Sequence, residues 1–255
     1  MNQNQPAPQR IPPSPSIPGE QPLVRPVYRP YVTYVLIGIC VVVYLLQAAT
    51  SYFPNLGITI ALVKDNNLIM QGQVWRIFTP MFLHGSILHI GFNMYALFYI
   101  GPMIERFYGR QRYLGLFILS GFGGNVISFM FSPSQSLGSS TAIFGLLGAQ
   151  GVLIYQNREI FGNIARRALS QVILIAVVNL IIGLTPGIDN WGHIGGLIGG
   201  TLFAWFGGPL LQRQGLFPPY TLKDARGSRE AILAGAGVGA LFFFLTIAVM
   251  IMRRG

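Results

Sequence analysis

Seven apolar runs, each long enough and free enough of charge to cross a bilayer, divide this chain and leave few folds open to it. They lie at Tyr31–Ala49, Ile87–Ile104, Tyr113–Phe131, Ser140–Gln156, Ala168–Thr185, Trp191–Leu211 and Ala231–Met252. A helix spanning the hydrocarbon core needs about 20 mostly apolar residues. Only 9% of the residues are charged and 52% are hydrophobic, whereas a soluble domain carries about 25% charged residues. Such a chain has too little polar surface to face water throughout. The expected fold class is an all-α membrane protein, a polytopic helical bundle whose main partner is the lipid bilayer.

The net charge of +10 is read in that light, as a topology signal and not as a nucleic-acid footprint. Arg10, Arg25 and Arg29 precede the first run, and Arg106, Arg110 and Arg112 follow the second. Arg158, Arg166 and Arg167 follow the fourth, and Arg213, Lys223, Arg226 and Arg229 follow the sixth. The opposite loops carry Lys64, Asp65 and Asp189, with one further cation in the dipeptide Trp75-Arg76. The positive-inside rule places the N-terminus and the even-numbered exits in the cytoplasm, although Arg253 and Arg254 stand against it. The expected location is a bacterial plasma membrane, with the chain integral and multi-pass.

Nine of the 17 prolines fall within residues 1–30, which read as a disordered, Pro-rich cytoplasmic tail. This polar stretch does not resemble a secretory signal. A six-helix core is expected over 31–211, a cytoplasmic linker over 212–230, and a seventh helix with a short tail over 231–255. The lone Cys40 excludes an intrachain disulfide and reads as a small buried hydrophobe. The connection from Thr50 to Leu83 is longer than a helix hairpin needs and partly apolar. It is expected to lie half in the outer leaflet as an interfacial insertion.

Three polar groups share one depth under this topology. His89 and Asn93, four residues apart, occupy one face of the second span. Ser140 opens the fourth span and His193 lies in the first turn of the sixth. Each has a bland role: Ser139 or Ser140 as a helix cap, Asn93 as interhelical glue, either His bonded to a neighbouring carbonyl. Intramembrane polar groups are nevertheless functional candidates, and a serine beside a histidine makes a nucleophile with its general base. Gly138, Gly145 and Gly148 on one helix and Gly192, Gly195, Gly196, Gly199 and Gly200 on the other allow the close backbone approach that brings the two together.

Other chemistries fit less well. His84 and His89 lack the spacing and the glutamate of a zinc-protease helix, so no metal and no cofactor are expected. No pair of acids lies within the spans, which removes an aspartyl dyad. Asp189 is the one acid near His193, so a Ser–His dyad is favoured over a triad. A proton-relay transporter would need internal repeats and charges part-way through its spans, and neither is present.

The residues from Trp75 to Leu211 resemble the rhomboid family of intramembrane serine proteases. Gly138-Ser139-Ser140-Thr141-Ala142-Ile143-Phe144-Gly145 is similar to the family's GxSGxxxG segment, and His193 with its following glycines is similar to the general-base motif. His89 and Asn93 resemble the HxxxN pair that lines the oxyanion hole, Trp75-Arg76 the WR dipeptide of the first loop, and Glu105-Arg106 the charged end of the second helix. The resemblance implies a serine endopeptidase with Ser140 and His193 catalytic, and His89, Asn93 and the Ser140 backbone N–H at the oxyanion. Phe144, Trp75, Arg76 and Gly138 are implied as supporting residues, with Phe144 packed on the His193 ring. It implies a rhomboid-like six-helix core plus one helix, and single-span membrane protein substrates cut near the outer face. A rhomboid-like pseudoprotease is the main rival, disfavoured because both serine and histidine are kept. Thr141 departs from the family's usual glycine after the nucleophile and is expected to narrow the site or cap the helix, at a cost in catalytic efficiency.

Overall fold

The computed structural model describes residues 28–52, 57–215 and 221–254, so the Pro-rich tail expected over 1–30 lies almost wholly outside the described residues. Among the described residues, ten α-helices alternate with short turns and one small hairpin. They are α1 (Tyr31–Thr50), α2 (Ile58–Leu62), α3 (Asn66–Met70), α4 (Ile87–Tyr108), α5 (Arg110–Phe131), α6 (Ser140–Gln156), α7 (Arg158–Phe161), α8 (Ile164–Ile182), α9 (Asn190–Gly207) and α10 (Ser228–Met252). The protein is a helical membrane bundle. Five of these helices, α1, α4, α5, α8 and α10, are long and apolar enough to cross a bilayer on their own. The other two large helices, α6 and α9, hold Ser140 and His193. One is short at 17 residues, and the other dilutes its apolar residues with six glycines. Neighbouring helices shield α6, which is buried along most of its length.

The helices outrun the apolar runs at several ends. α5 starts at Arg110 and not Tyr113, α8 at Ile164 and not Ala168, and α4 continues to Tyr108. Basic residues end an apolar run but are good helix formers, so the helix continues into the headgroup zone. Gly109, at φ +75°, breaks the chain between α4 and α5. α9 stops at Gly207, because Gly208-Pro209 follows and proline has no N–H to continue the ladder.

The linker expected over 212–230 is partly ordered as a hairpin of β1 (Leu211–Gln214) and β2 (Thr221–Asp224), antiparallel with Leu211 opposite Asp224. Arg112 ties it to the start of α5: its guanidinium pairs with the Asp224 carboxylate and donates to the carbonyls of Arg226 and Gly227. α10 begins at Ser228, where the Glu230 carboxylate accepts the Gly227 N–H at 2.8 Å. This helix enters the bundle through Phe242, which is buried in a notch whose floor is Gly123 of α5 and Gly199 of α9. A methyl group at Gly123 would stand 2.6 Å from the ring.

The first connection, from Thr50 to Leu83, holds regular structure of its own. α2, α3 and two 3-10 turns (Val74–Ile77 and Thr79–Phe82) fold against the bundle. Lys64 is fully buried and donates to the carbonyls of Ser128, Ser132 and Ser134 at 3.4, 3.0 and 2.8 Å. The carbonyls at the C-terminus of α5 and the negative end of its dipole offset part of the cost of burying a cation there. Arg76 is also buried, with Nη1 on the Val63 carbonyl at 2.8 Å. At the other end of the bundle Glu105 is buried and accepts the backbone N–H groups of Val32 and Thr33 and the Thr33 hydroxyl. A carboxylate of α4 thus caps the N-terminus of α1, and the start of α1 lies beside the end of α4.

Candidate active site

α6 and α9 meet backbone to backbone. A methyl group placed on Gly196 would overlap the Thr141 carbonyl, and one on Gly200 would overlap the Gly145 backbone. On Gly148 it would fall 3.0 Å from the Leu197 carbonyl. Only glycine permits this approach, and the approach sets the distance between the helix heads. Ser140 is the first residue of α6, and His193 lies in the first turn of α9. Ser140 Oγ and His193 Nε2 are 2.9 Å apart, a hydrogen bond. Phe144, one turn along α6, stacks on the imidazole with centroids 4.3 Å apart and planes 12° apart.

Asp189 does not touch the imidazole. Its Oδ1 accepts the Gly192 N–H at 3.1 Å, and its Oδ2 accepts the Ser128 hydroxyl. The acid caps α9, so it orders the turn that holds His193 without forming a triad.

His89 stands on the other side of Ser140. Ser86 caps α4 by accepting the His89 N–H, which starts the helix three residues before the ring. His89 Nδ1 accepts the Gly85 N–H at 3.3 Å, which leaves Nε2 to carry the proton. Nε2 faces the Gly138 Cα: a methyl group on Gly138 would lie 2.8 Å from it, and Gly138 has φ +135°. Both facts require glycine there. Asn93 is buried one turn below and spends one amide hydrogen on the His89 carbonyl at 2.9 Å. Among the described residues it makes no hydrogen bond to Ser140 or His193.

Among the described residues, Trp75 and Arg76 make their hydrogen bonds within the first loop and none to the pair. Trp75 Nε1 donates to the Ala61 carbonyl at 3.2 Å, and Arg76 Nε to Gln73 Oε1 at 2.8 Å, so both knit the first loop together. Among the described residues, Thr141 makes no capping hydrogen bond. Its buried side chain is wedged between Gly124 of α5 and Gly192 of α9.

The sequence reading missed a further group. His84 is buried just before α4, with Nε2 3.2 Å from Ser139 Oγ and its ring edge-on to His89 at 5.3 Å between centroids. Burial, with His89 beside it, pushes the His84 imidazole down to about 4, so it is neutral at pH 7. No short-range spacing signals a contact across 55 residues. No group of three or more His, Cys, Asp or Glu able to hold a metal occurs among the described residues.

Fold and site define a polytopic helical membrane protein with a hydrogen-bonded Ser–His pair at the heads of two glycine-packed helices. The sequence model of the Rhomboid domain matches residues 71–210, more than half of the chain. The chain belongs to the rhomboid family. It is 37% identical over 219 residues to "Rhomboid protease GluP" of Bacillus subtilis (strain 168), covering 85% of this chain and 41% of that protein. It is 37% identical over 139 residues to "RHOMBOID-like protein 1" of Arabidopsis thaliana, covering 54% of this chain and 36% of that one. With "RHOMBOID-like protein 2" of the same plant it shares 38% identity over 199 residues, 74% of this chain and 60% of that protein. The chain thus spans less than two thirds of the length of each of these relatives.

Proposed function

We propose that this protein is an intramembrane serine endopeptidase that cleaves single-span membrane proteins near the outer face of a bacterial plasma membrane, with its own N-terminus in the cytoplasm. The observation that carries this reading is the 2.9 Å separation of Ser140 Oγ and His193 Nε2 in a chain of the rhomboid family. The name of the Bacillus subtilis relative, a protease, supports the reaction. The orientation rests on the exposed arginines at the end of the bundle where α1 begins, Arg106 and Arg110 among them, opposite the end that holds Ser140.

In the mechanism, the Ser140 hydroxyl donates its proton to His193 Nε2 as Oγ attacks the scissile carbonyl. The Ser140 N–H, the His89 Nε2–H and the free amide hydrogen of Asn93 receive the oxyanion. The Ser140 N–H lies at the positive end of the α6 dipole, and the His89 ring faces Gly138 two residues before it. His193 then passes the proton to the leaving amine, and water hydrolyses the acyl-enzyme by the same steps in reverse. Phe144 does the orienting work a carboxylate performs in soluble triads. A substrate segment must unwind to enter, so small and helix-breaking residues near the cut are favoured.

The test is reconstitution in liposomes with single-span substrates, comparing wild type with Ser140→Ala and His193→Ala. Cleavage is expected from wild type alone, and cleavage surviving either substitution defeats the dyad.

A further inference from the structure

The segment that precedes α4 also holds the Ser140 turn. The Gly138 N–H donates to the Pro80 carbonyl at 2.9 Å, and one residue on, Ser139 Oγ meets His84 Nε2 at 3.2 Å. Both Ser139 and His84 are almost fully buried, which makes a hydrogen bond between them costly to lose. His84 is itself held by a third element. Its backbone N–H donates to Gln47 Oε1 at 3.0 Å, and Gln47 Nε2 donates to the His84 carbonyl at 3.2 Å. Gln47 Nε2 also donates to Thr59 Oγ1 at 2.8 Å, which joins α1, α2 and the pre-α4 segment in one network.

Ser139 occupies the N-cap position of α6, yet its side chain caps nothing in the helix. A buried serine at a helix start ordinarily bonds the N–H groups of the first turn. Here the hydroxyl is turned outward to the imidazole. The same imidazole abuts His89, so one ring touches both the nucleophile turn and the proposed oxyanion donor.

We propose that His84 and Ser139 are positioning residues, and that their hydrogen bond, braced by Gln47, holds the Gly138–Ser140 turn and the His89 ring in register for attack by Ser140. Neither residue touches the reacting atoms. Their effect is on the fraction of molecules with Ser140 Oγ and its N–H correctly aimed, and therefore on kcat and not on substrate affinity. This inference rests on the serine-protease reading above.

The experiment measures three quantities for the full chain. In liposomes, kcat and KM are measured on a single-span peptide. The thermal midpoint is measured in detergent, and so is the rate constant for labelling of Ser140 by a fluorophosphonate. The variants are Ser139→Ala, His84→Ala and the double substitution. Ser139→Ala is expected to lower kcat and the labelling rate about five- to tenfold, the size of effect one hydrogen bond controls. KM stays near wild type, and the thermal midpoint falls only by what one buried hydrogen bond is worth. The double variant loses no more than the worse single, because both remove the same bond. Wild-type kcat and labelling in Ser139→Ala overturn the proposal even if His84→Ala fails to fold. So does a double variant whose loss equals the product of the singles. If wild type neither cleaves nor labels, the protease reading itself has failed, a result distinct from a variant that matches an active wild type.

Discussion

The Phe144 ring lies parallel to the imidazole of His193, 4.3 Å away, while the only acid in that helical turn, Asp189, bonds the backbone of Gly192 instead. A stacked ring restrains rotation of the imidazole but donates and accepts nothing, so the ring orientation is set by packing. Stacking of this kind is worth about 0.5–1.5 kcal/mol beyond burial. Phe144→Leu, which fills space without a flat face, is expected to lower kcat roughly tenfold. Phe144→Tyr retains the face and stays near wild type. Cleavage rates set against thermal midpoints check this: a fall in both together points to core damage instead.

Glycine substitutions separate packing from propensity. Gly196→Ala drives a methyl into the Thr141 carbonyl, a backbone atom that cannot step aside, and is expected to lower the thermal midpoint and abolish labelling of Ser140. Gly91→Ala, on the helix that carries His89, meets nothing within 4 Å. It is expected to be neutral or stabilising by about 0.5–1 kcal/mol. Equal losses from the two would show that the α6–α9 approach is not what the glycines serve.

Much of this was legible in the sequence, and the reason is periodicity. Apolar runs locate helices because lipid tolerates few alternatives, and glycines three and four apart announce close packing. The meeting of Ser140 with His193 followed from those two rules and the shared direction of their helices. Lys64 was not legible. In the chain it is a charge interrupting an apolar stretch, and only the fold reveals three carbonyls waiting 64 to 70 residues away. The His84–Ser139 contact and the hairpin from Leu211 to Asp224 escaped likewise, the first being long-range and the second too short for a pattern.

Burial holds the Lys64 ammonium down from its ordinary 10.5 to about 8. The unfolded chain therefore binds more protons than the folded one between those values, and stability from this group rises with pH across that window. It is fully present above 10.5 and lost as pH falls through about 8. The difference in thermal midpoint between wild type and Lys64→Met is expected to grow in favour of wild type from pH 8 to 10.5. A difference that is flat in pH would mean that Lys64 titrates as it does in water.

Asp189→Ala removes the cap of α9 and the partner of the Ser128 hydroxyl together. The cap alone is worth about 1 kcal/mol. Asp189→Asn keeps an oxygen for the Gly192 N–H and is expected to retain most of the stability and activity. That ranking follows from capping. A residue acting as the third member of a triad would lose activity steeply in Asp189→Asn, by about four orders of magnitude in soluble triads.

Thr141 makes the sharpest contrast between motif and structure. As the residue after Ser140 it invites the view that a glycine there would open the site and speed cleavage. Its side chain is buried in the seam between α5 and α9, where a methyl on Gly124 would come 2.6 Å from its Cβ and one on Gly192 3.0 Å from its Cγ2. Bulk on α6 is matched by the absence of side chains on the two helices facing it. Thr141→Gly would leave all three positions bare and a void that no neighbour can fill without backbone movement. The added backbone freedom costs about 0.5–1 kcal/mol, and the void adds a similar amount. The expected outcome is a lower thermal midpoint with no gain in kcat. A faster enzyme of unchanged midpoint would instead place the Thr141 side chain in the path of the substrate.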